Sequence, residues 1–230
     1  MVNNDLNALL QLLDIKISNE SLIKQAFIHR SYLNEVKDNL RSNERLEFLG
    51  DSVLSLITST YIYQKRTEDE EGDLTNLRSY IVKTKSLSEA AEKLGLGKYL
   101  RMSKGEEMGG GRTNTQLLAN TYEALLGAIY LDQGFEVAKM FVHQTLLPLF
   151  EEEIRQGPPK DAKSALQEIA QEQTKKSPHY QIIKTTGPDH AKRFIVGVSI
   201  SGEELGRGEG SSKQEAEEQA AAEALKKIQK

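Results

Sequence analysis

Apolar residues in the first 150 positions recur with the period of an α-helix and show little of the period-two alternation of strands. From Asn43 to Tyr63, charged residues fall on one face of a helical wheel and apolar residues fall on roughly the opposite face. The residues of this apolar face are Leu46, Leu49, Val53, Leu56 and Ile57. From Thr115 to Asp132, apolar residues occur nearly all round the wheel, which is typical of a helix buried on most sides. The pattern predicts an all-α N-terminal domain.

The pattern changes after residue 161. A helical pattern runs from Lys163 to Gln173. Strict period-two alternation then marks a strand with one buried face, whose apolar positions are Phe194, Val196, Val198 and Ile200. Shorter strand patterns lie before and after it, at Tyr180 to Thr185 and at Glu203 to Arg207. A final helix begins near Ser212 and carries small residues at every fourth position, so it can lie close on a sheet. The predicted order is α-β-β-β-α, an α+β fold.

The two regions are separated by the segment EEEIRQGPPKD, from Glu151 to Asp161. Its acidic residues are followed by Gly157, Pro158 and Pro159, which are residue types that end helices. We therefore expect a helical domain at residues 1–150, a linker at residues 151–161 and an α+β domain at residues 162–230.

The composition restricts the chemistry. The 230 residues include no cysteine and four histidines, which excludes disulfides and argues against a zinc site. No apolar run reaches the length of a membrane span, and no signal peptide is evident, so we expect a cytoplasmic protein. The net charge of −4 does not by itself indicate a nucleic-acid partner.

Acidic residues cluster on the first of the two long helices. Glu44, Glu47 and Asp51 share one face, where like charges destabilise an isolated helix by a few tenths of a kcal/mol per pair. A divalent cation would compensate for this repulsion. A solvated face of an amphipathic helix is the alternative interpretation, and these three residues alone favour it.

The second long helix strengthens the metal hypothesis. Asn120 and Glu123 lie one turn apart on it, and Gly127 continues the same strip and leaves room for a neighbouring backbone. A buried carboxylate needs a partner, which could be a cation or, alternatively, an arginine. Oxygen ligands without histidine or cysteine suit Mg²⁺, or Mn²⁺ as a substitute, and these ions suit phosphoryl chemistry.

These residues also carry a family resemblance. The stretch NERLEFLGDSVL, from Asn43 to Leu54, closely resembles the signature of the ribonuclease III family. The blocks HRSYLNE, EGDLTNLRSYIV and NTYEALLGAIYLD resemble the remaining blocks of the same nuclease domain, in the same order. The blocks ALQEIAQ, GPDHAKRFIV and GEGSSKQEAEEQAA are similar to a double-stranded-RNA-binding domain.

The resemblance implies an all-α ribonuclease III endonuclease domain followed by an α+β double-stranded-RNA-binding domain. It implies a homodimer that cleaves double-stranded RNA with Mg²⁺ and leaves 5′-phosphate and 3′-hydroxyl ends, in the processing of rRNA and mRNA precursors. By position, Glu47, Asp51 and Glu123 match the catalytic and metal-binding acids, with Asn120 at the same metal site. Glu44 and Glu71 match auxiliary acids.

Asn120 departs from the family pattern, which usually has aspartate at this position. An amide oxygen can still coordinate a hard cation, but one negative charge is missing. We therefore expect a site that demands more Mg²⁺. The alternative is a double-stranded-RNA-binding protein that retains the fold and cuts weakly or not at all.

The resemblance also implies how the second domain contacts RNA. Ser164, Gln167 and Glu168 on its first helix would meet one minor groove, and His190 would enter the next. Lys213 would face the intervening phosphates. The glycine-rich segment from Gly105 to Thr115 lacks the ending of a nucleotide-binding loop, so no nucleotide cofactor is expected.

Overall fold

The computed structural model describes residues 10–11, 14–36, 39–158, 161–188 and 192–228. The chain divides into two compact units, Met1–Pro158 and Pro159–Lys230. The first is helical and the second has the order α-β-β-β-α, so the predicted fold class is confirmed. Within the described ranges, no helix combines the length and the apolar character that a membrane span requires.

The helices of the first unit are α1 (Glu20–Ala26), α2 (Glu44–Lys65), α3 (Glu71–Ile81), α4 (Thr84–Lys93), α5 (Lys104–Met108), α6 (Thr115–Gln133), α7 (Phe135–Thr145) and α8 (Glu151–Gln156). Short 3-10 turns lie at Arg30–Asn34, Leu96–Tyr99, Gly111–Thr113 and Leu147–Phe150. Helix α6 begins after Asn114, whose side chain accepts a hydrogen bond from the backbone N–H of Leu117. Most of its residues from Leu118 to Ile129 are buried, as the apolar pattern predicts.

Helix α2 packs against α6 along a stripe that includes Leu46, Gly50 and Ile57. Leu56 is the exception to the predicted apolar face, because 57% of its surface is exposed. It lies roughly 120° round the helix from Gly50, outside the buried stripe. Phe48 is also exposed, at 78%. Helix α2 therefore presents large apolar side chains on its outer side as well as its inner side.

The beginning of the predicted linker is helical. Glu151–Gln156 forms α8, and Ile154 is buried against the core of the first unit. Arg66, which follows the end of α2, donates a hydrogen bond to the carbonyl oxygen of Arg155. The burial of Ile154 and this contact attach to the first unit a short acidic helix that the composition alone did not indicate.

The second unit contains α9 (Ala162–Thr174), β1 (His179–Thr186), β2 (Arg193–Ile200), β3 (Glu203–Gly210) and α10 (Lys213–Ile228). The strands form one antiparallel sheet in the order β1-β2-β3. A β-carbon at Gly206 or Gly208 would overlap backbone atoms of α10, including the carbonyl oxygens of Ala220 and Ala216. The stripe of small residues on α10 therefore lies directly on glycines of β3, as predicted.

Candidate metal centre

Two glycines let α2 and α6 approach closely. A β-carbon at Gly50 would overlap the carbonyl oxygen of Glu123, and one at Gly127 would overlap the carbonyl oxygen of Leu46. Neither helix could lie this close with any larger side chain at these positions. The crossing brings Glu123 on α6 next to the acidic face of α2.

The charges at this crossing interact strongly. Burial, reinforced by the negative charges of Asp51 and Glu47, raises the pKa of Glu123 to about 8. Burial and the neighbouring Glu44 and Asp51 raise the pKa of Glu47. In the described part of the chain, no lysine or arginine forms an ion pair with Glu47, Asp51 or Glu123. The arginine partner that was the alternative for Glu123 is therefore not found among these residues.

Asn120 has a partner that the sequence did not indicate. The amide Nε2 of Gln116 donates a hydrogen bond of 2.7 Å to Oδ1 of Asn120. The two residues are four apart on α6, a spacing that places side chains next to each other on a helix. Only this spacing could have suggested the pair. The oxygen that would face a metal ion is thus held by Gln116.

A cavity of about 250 Å³ adjoins the acidic residues, and Glu44, Glu47 and Asn120 all line it. Glu44 accepts a hydrogen bond of 2.7 Å from the hydroxyl of Ser42. It also forms a loose ion pair with Arg30, at 3.8 Å. The lining of this cavity thus includes three residues that the sequence predicts for the site. It also includes Arg30, which the sequence analysis did not predict for the site.

Glu71 lies apart from this group. It is the first residue of α3 and lines a different cavity, of about 690 Å³, together with Ser59 and Tyr63 near the end of α2. Ser59 is twelve residues beyond Glu47 on the same helix, which corresponds to about 18 Å along its axis. Within one chain, Glu71 is therefore not brought to the other acids.

The donor set fits a hard divalent cation. Glu47, Asp51, Glu123 and Asn120 offer oxygen ligands, and a cation would offset the burial and the repulsion that together raise the pKa of Glu123. Across the described residues, no three histidine, aspartate or glutamate side chains converge as a metal-binding group. The acids are therefore close enough to influence one another without meeting at a common point.

In the second unit, the predicted RNA contacts lie on α9 and at the start of α10. The backbone N–H and hydroxyl of Ser164 both donate hydrogen bonds to Asp161, which caps α9. Gln167 donates a hydrogen bond of 3.0 Å to the hydroxyl of Ser177. Glu168 and Lys213 are exposed. His190, the remaining predicted contact, lies outside the described residues.

Acidic residues offset the positive charge on this side of the unit. Lys163 forms an ion pair of 2.5 Å with Glu217. A cavity of about 740 Å³ lies between the starts of α9 and α10, and Ser164, Glu215 and Glu218 are among its lining residues. The start of α10 therefore offers phosphates few uncompensated cations.

A helical unit in which Glu123 of α6 lies beside the acidic face of α2, followed by an α-β-β-β-α unit, is the arrangement expected of a nuclease that carries its own RNA-binding domain. Residues 19–149 match a family model described as Ribonuclease-III-like, and residues 162–228 match the double-stranded RNA binding motif. The chain belongs to the ribonuclease III family. The family is one of endoribonucleases specific for double-stranded RNA, and it implies a divalent metal cofactor.

Similar proteins cover nearly the whole chain. A protein named Ribonuclease 3 from Natranaerobius thermophilus is 46% identical over 217 residues, which are 92% of this chain and 91% of that protein. One of the same name from Pelotomaculum thermopropionicum is 45% identical, over 94% of this chain and 90% of that protein. The solved nuclease domain of ribonuclease III from Campylobacter jejuni, described as structurally flexible in a region involved in dimer formation, is 38% identical. Its TM-score is 0.58, over 62% of this chain and 96% of that one.

Proposed function

We propose that this chain is a Mg²⁺-dependent endoribonuclease that hydrolyses both strands of double-stranded RNA in precursors of ribosomal and messenger RNA. The observation that carries the proposal is the crossing of α2 and α6. There, Glu123 lies beside Glu47 and Asp51, and its pKa rises to about 8 through burial and their negative charges. An enzyme that binds a divalent cation has a use for such uncompensated charge, because the cation neutralises it.

Each acidic residue has a proposed role. Glu47, Asp51 and Glu123 would hold the metal ion, and Asn120 would contribute its amide oxygen or hold a water. The bound Mg²⁺, or Mn²⁺ in its place, would supply activation of a water for attack on phosphorus and stabilisation of the leaving oxygen. Glu44, which is held by Ser42, would assist from the edge of the site. Glu71 would act near the cut, from its separate position on α3.

We also propose that the active form is a homodimer. Phe48, Leu56 and Tyr63 are large apolar side chains that α2 exposes on its outer side. Exposed apolar groups of this size on one helix are typical of an interaction surface. The related nuclease domain from Campylobacter jejuni has a region involved in dimer formation, which supports the same assembly here. A two-fold dimer matches a duplex, because each subunit can address one strand.

The second unit would bind the duplex by its shape. Ser164, Gln167 and Glu168 would contact one minor groove, and Lys213 would contact phosphates, with His190 in the next groove. Residues 1–150 would form the nuclease domain and residues 162–230 the RNA-binding domain, with the linker between them. The proposed location is the cytoplasm.

The alternative, an RNA-binding protein that retains the fold and cuts weakly or not at all, is not favoured, because relatives named Ribonuclease 3 match over nearly the whole chain. Analysis of product ends tests the proposal. A perfectly paired RNA incubated with the protein and Mg²⁺ should yield short duplexes with 5′-phosphate and 3′-hydroxyl ends. A single-stranded RNA of the same sequence should stay intact. Products that end in 3′-phosphate would contradict the mechanism.

A further inference from the structure

The cavity beside the acidic residues is also lined by residues that can donate hydrogen bonds. Besides Glu44, Glu47 and Asn120, its lining includes His29 and Arg30. A volume of about 250 Å³ is large enough for one phosphate group and its waters. The cavity therefore places hydrogen-bond donors directly beside the proposed metal centre.

The backbone that carries these donors is fixed at both sides. The N–H of His29 donates a hydrogen bond of 2.9 Å to the carbonyl oxygen of Arg101, and Ile28 forms an isolated parallel bridge with Arg101. The backbone N–H of Asn43 donates a hydrogen bond of 2.9 Å to the carbonyl oxygen of Ile28. The side-chain amide of Asn43 donates one of 3.2 Å to the carbonyl oxygen of Ala26. Because Asn43 immediately precedes α2, this segment is tied to the helix that bears the acids.

The hydrogen bonds of His29 determine which ring nitrogen is a donor. The N–H of Ser31 donates to Nδ1 of His29, and the hydroxyl of Ser31 lies 2.8 Å from the same nitrogen. The Ser31 hydroxyl oxygen accepts a hydrogen bond from the N–H of Ser103, so its own proton can be donated to Nδ1. With the Ser31 N–H as donor, Nδ1 is an acceptor, and in the neutral ring this arrangement leaves Nε2 as the donor.

Arg30 forms only a weak ion pair with Glu44. Its side chain is 74% exposed, and its guanidinium lies 3.8 Å from Glu44, whose other carboxylate oxygen is bonded to Ser42. Exposed ion pairs of this kind contribute little to stability, because water screens them. A phosphate offers the same guanidinium a bidentate contact with a full negative charge, which is a stronger interaction.

We infer that Arg30 and His29 form a subsite for an RNA backbone phosphate, the one next to the phosphate that is cleaved. The inference rests on the proposed function, because the scissile phosphate must lie at the acidic residues for its neighbour to reach this cavity. The subsite would fix the register of the strand over the metal centre. It would also offset the repulsion between the RNA and the acidic face of α2.

The test compares Arg30→Ala and Arg30→Lys in the full chain, with Lys93→Ala as a matched control. Lys93 is 56% exposed and forms a comparable ion pair with Glu89, at 3.2 Å, but it does not line the cavity. Binding of a duplex RNA is measured over a range of salt concentrations, with Glu123→Gln present in every variant to prevent cutting. Single-turnover cleavage is measured in the same variants with Glu123 restored.

We expect Arg30→Ala to reduce the slope of log affinity against log salt by about one for each Arg30 that contacts RNA. We expect it to slow cleavage by about tenfold or more, since a charge-assisted contact is lost. Arg30→Lys should keep most of the slope, and Lys93→Ala should match the parent protein. Equal thermal unfolding midpoints for the variants show that the fold is retained.

An unchanged slope in Arg30→Ala would overturn the subsite. Slower cleavage with an unchanged slope would mean that Arg30 acts only through Glu44, which also overturns it. If the parent protein cuts no RNA at all, the proposed function fails. The salt slopes remain measurable in that case and decide separately whether Arg30 contacts a phosphate.

Discussion

The α-carbon of Gly50 lies so close to the backbone of Glu123 that a β-carbon on Gly50 would overlap the Glu123 carbonyl oxygen. This contact is the reason that a carboxylate on α6 can lie beside the carboxylates on α2. Gly50 lies between Glu47 and Asp51 in the sequence, so the position of closest approach is also the position of the acids.

Gly50→Ala should force the two helices apart. Overpacking of this kind costs about 1–3 kcal/mol of unfolding free energy, and a backbone neighbour makes the upper end of that range the expectation. Gly72→Ala is the matched control, because a β-carbon there meets nothing within 4 Å and alanine has the higher helix propensity. Denaturant unfolding and Mg²⁺ titration of both variants check this. Equal stability and metal affinity in the two variants would contradict the account of the crossing.

Glu123→Gln should reduce cleavage of duplex RNA by at least about 100-fold, the scale on which one charge-stabilising group acts. RNA binding should be spared, because the second unit is untouched. Glu136→Gln, which removes a charge from an 82% exposed side chain of α7, serves as the control and should cut normally. Parallel cleavage and gel-shift assays make the comparison. Cleavage by Glu123→Gln at the parent rate would show that the site is wrongly assigned.

Asn120→Asp should lower the Mg²⁺ concentration needed for half-maximal cleavage by about tenfold, or roughly 1.4 kcal/mol of added attraction. Aspartate can accept the hydrogen bond of Gln116 with one oxygen and offer the other to the ion. Asn114→Asp adds the same charge to the cap of α6 and should leave the Mg²⁺ midpoint unchanged, because aspartate caps a helix as well as asparagine. A midpoint that does not move in Asn120→Asp would remove residue 120 from the metal site.

The metal-free protein should lose stability as the pH rises. The pKa of Glu123 is raised to about 8 from its ordinary value of 4.5. Between these values the folded protein keeps a proton that the unfolded chain has released, so the free energy of unfolding falls with pH. The stability that Glu123 gives the folded protein by keeping its proton is fully present below pH 4.5. It is lost as the pH rises through 8.

Thermal unfolding with a chelator, from about pH 4.5 to about pH 8.5, measures this effect. Glutamine at position 123 does not titrate, so Glu123→Gln should gain stability relative to the parent protein as the pH rises. A stability difference that stays constant over this range would show that Glu123 has an ordinary pKa.

The sequence predicted the elements whose patterns are long and regular. Helices α2 and α6, the three strands and the α-β-β-β-α order all follow from periodicity, because burial of one face imposes it. The strip of Asn120, Glu123 and Gly127 was also visible, since helical spacing alone places these residues together.

Other features depend on contacts between distant parts of the chain and leave no local signal. The apolar pattern predicts that Leu56 is a core residue, but it lies outside the stripe of α2 that packs against α6. Helix α8 lies in the segment that the sequence predicts to be a linker. The burial of Ile154 stabilises this helix, and a single apolar residue leaves no periodic pattern in the sequence. Arg30 lines the cavity beside the acids because backbone hydrogen bonds join its segment to Asn43 and Arg101, which are distant in the sequence.

Cleavage of a long, perfectly paired RNA across a Mg²⁺ titration, with chelated and single-stranded controls and a gel-shift in parallel, shows whether this chain is a Mg²⁺-dependent nuclease for duplex RNA. We expect the duplex to be converted to short duplexes as Mg²⁺ rises, while the chelated and single-stranded samples remain intact. Duplex RNA that is retarded on the gel but stays intact at every Mg²⁺ concentration would contradict this expectation.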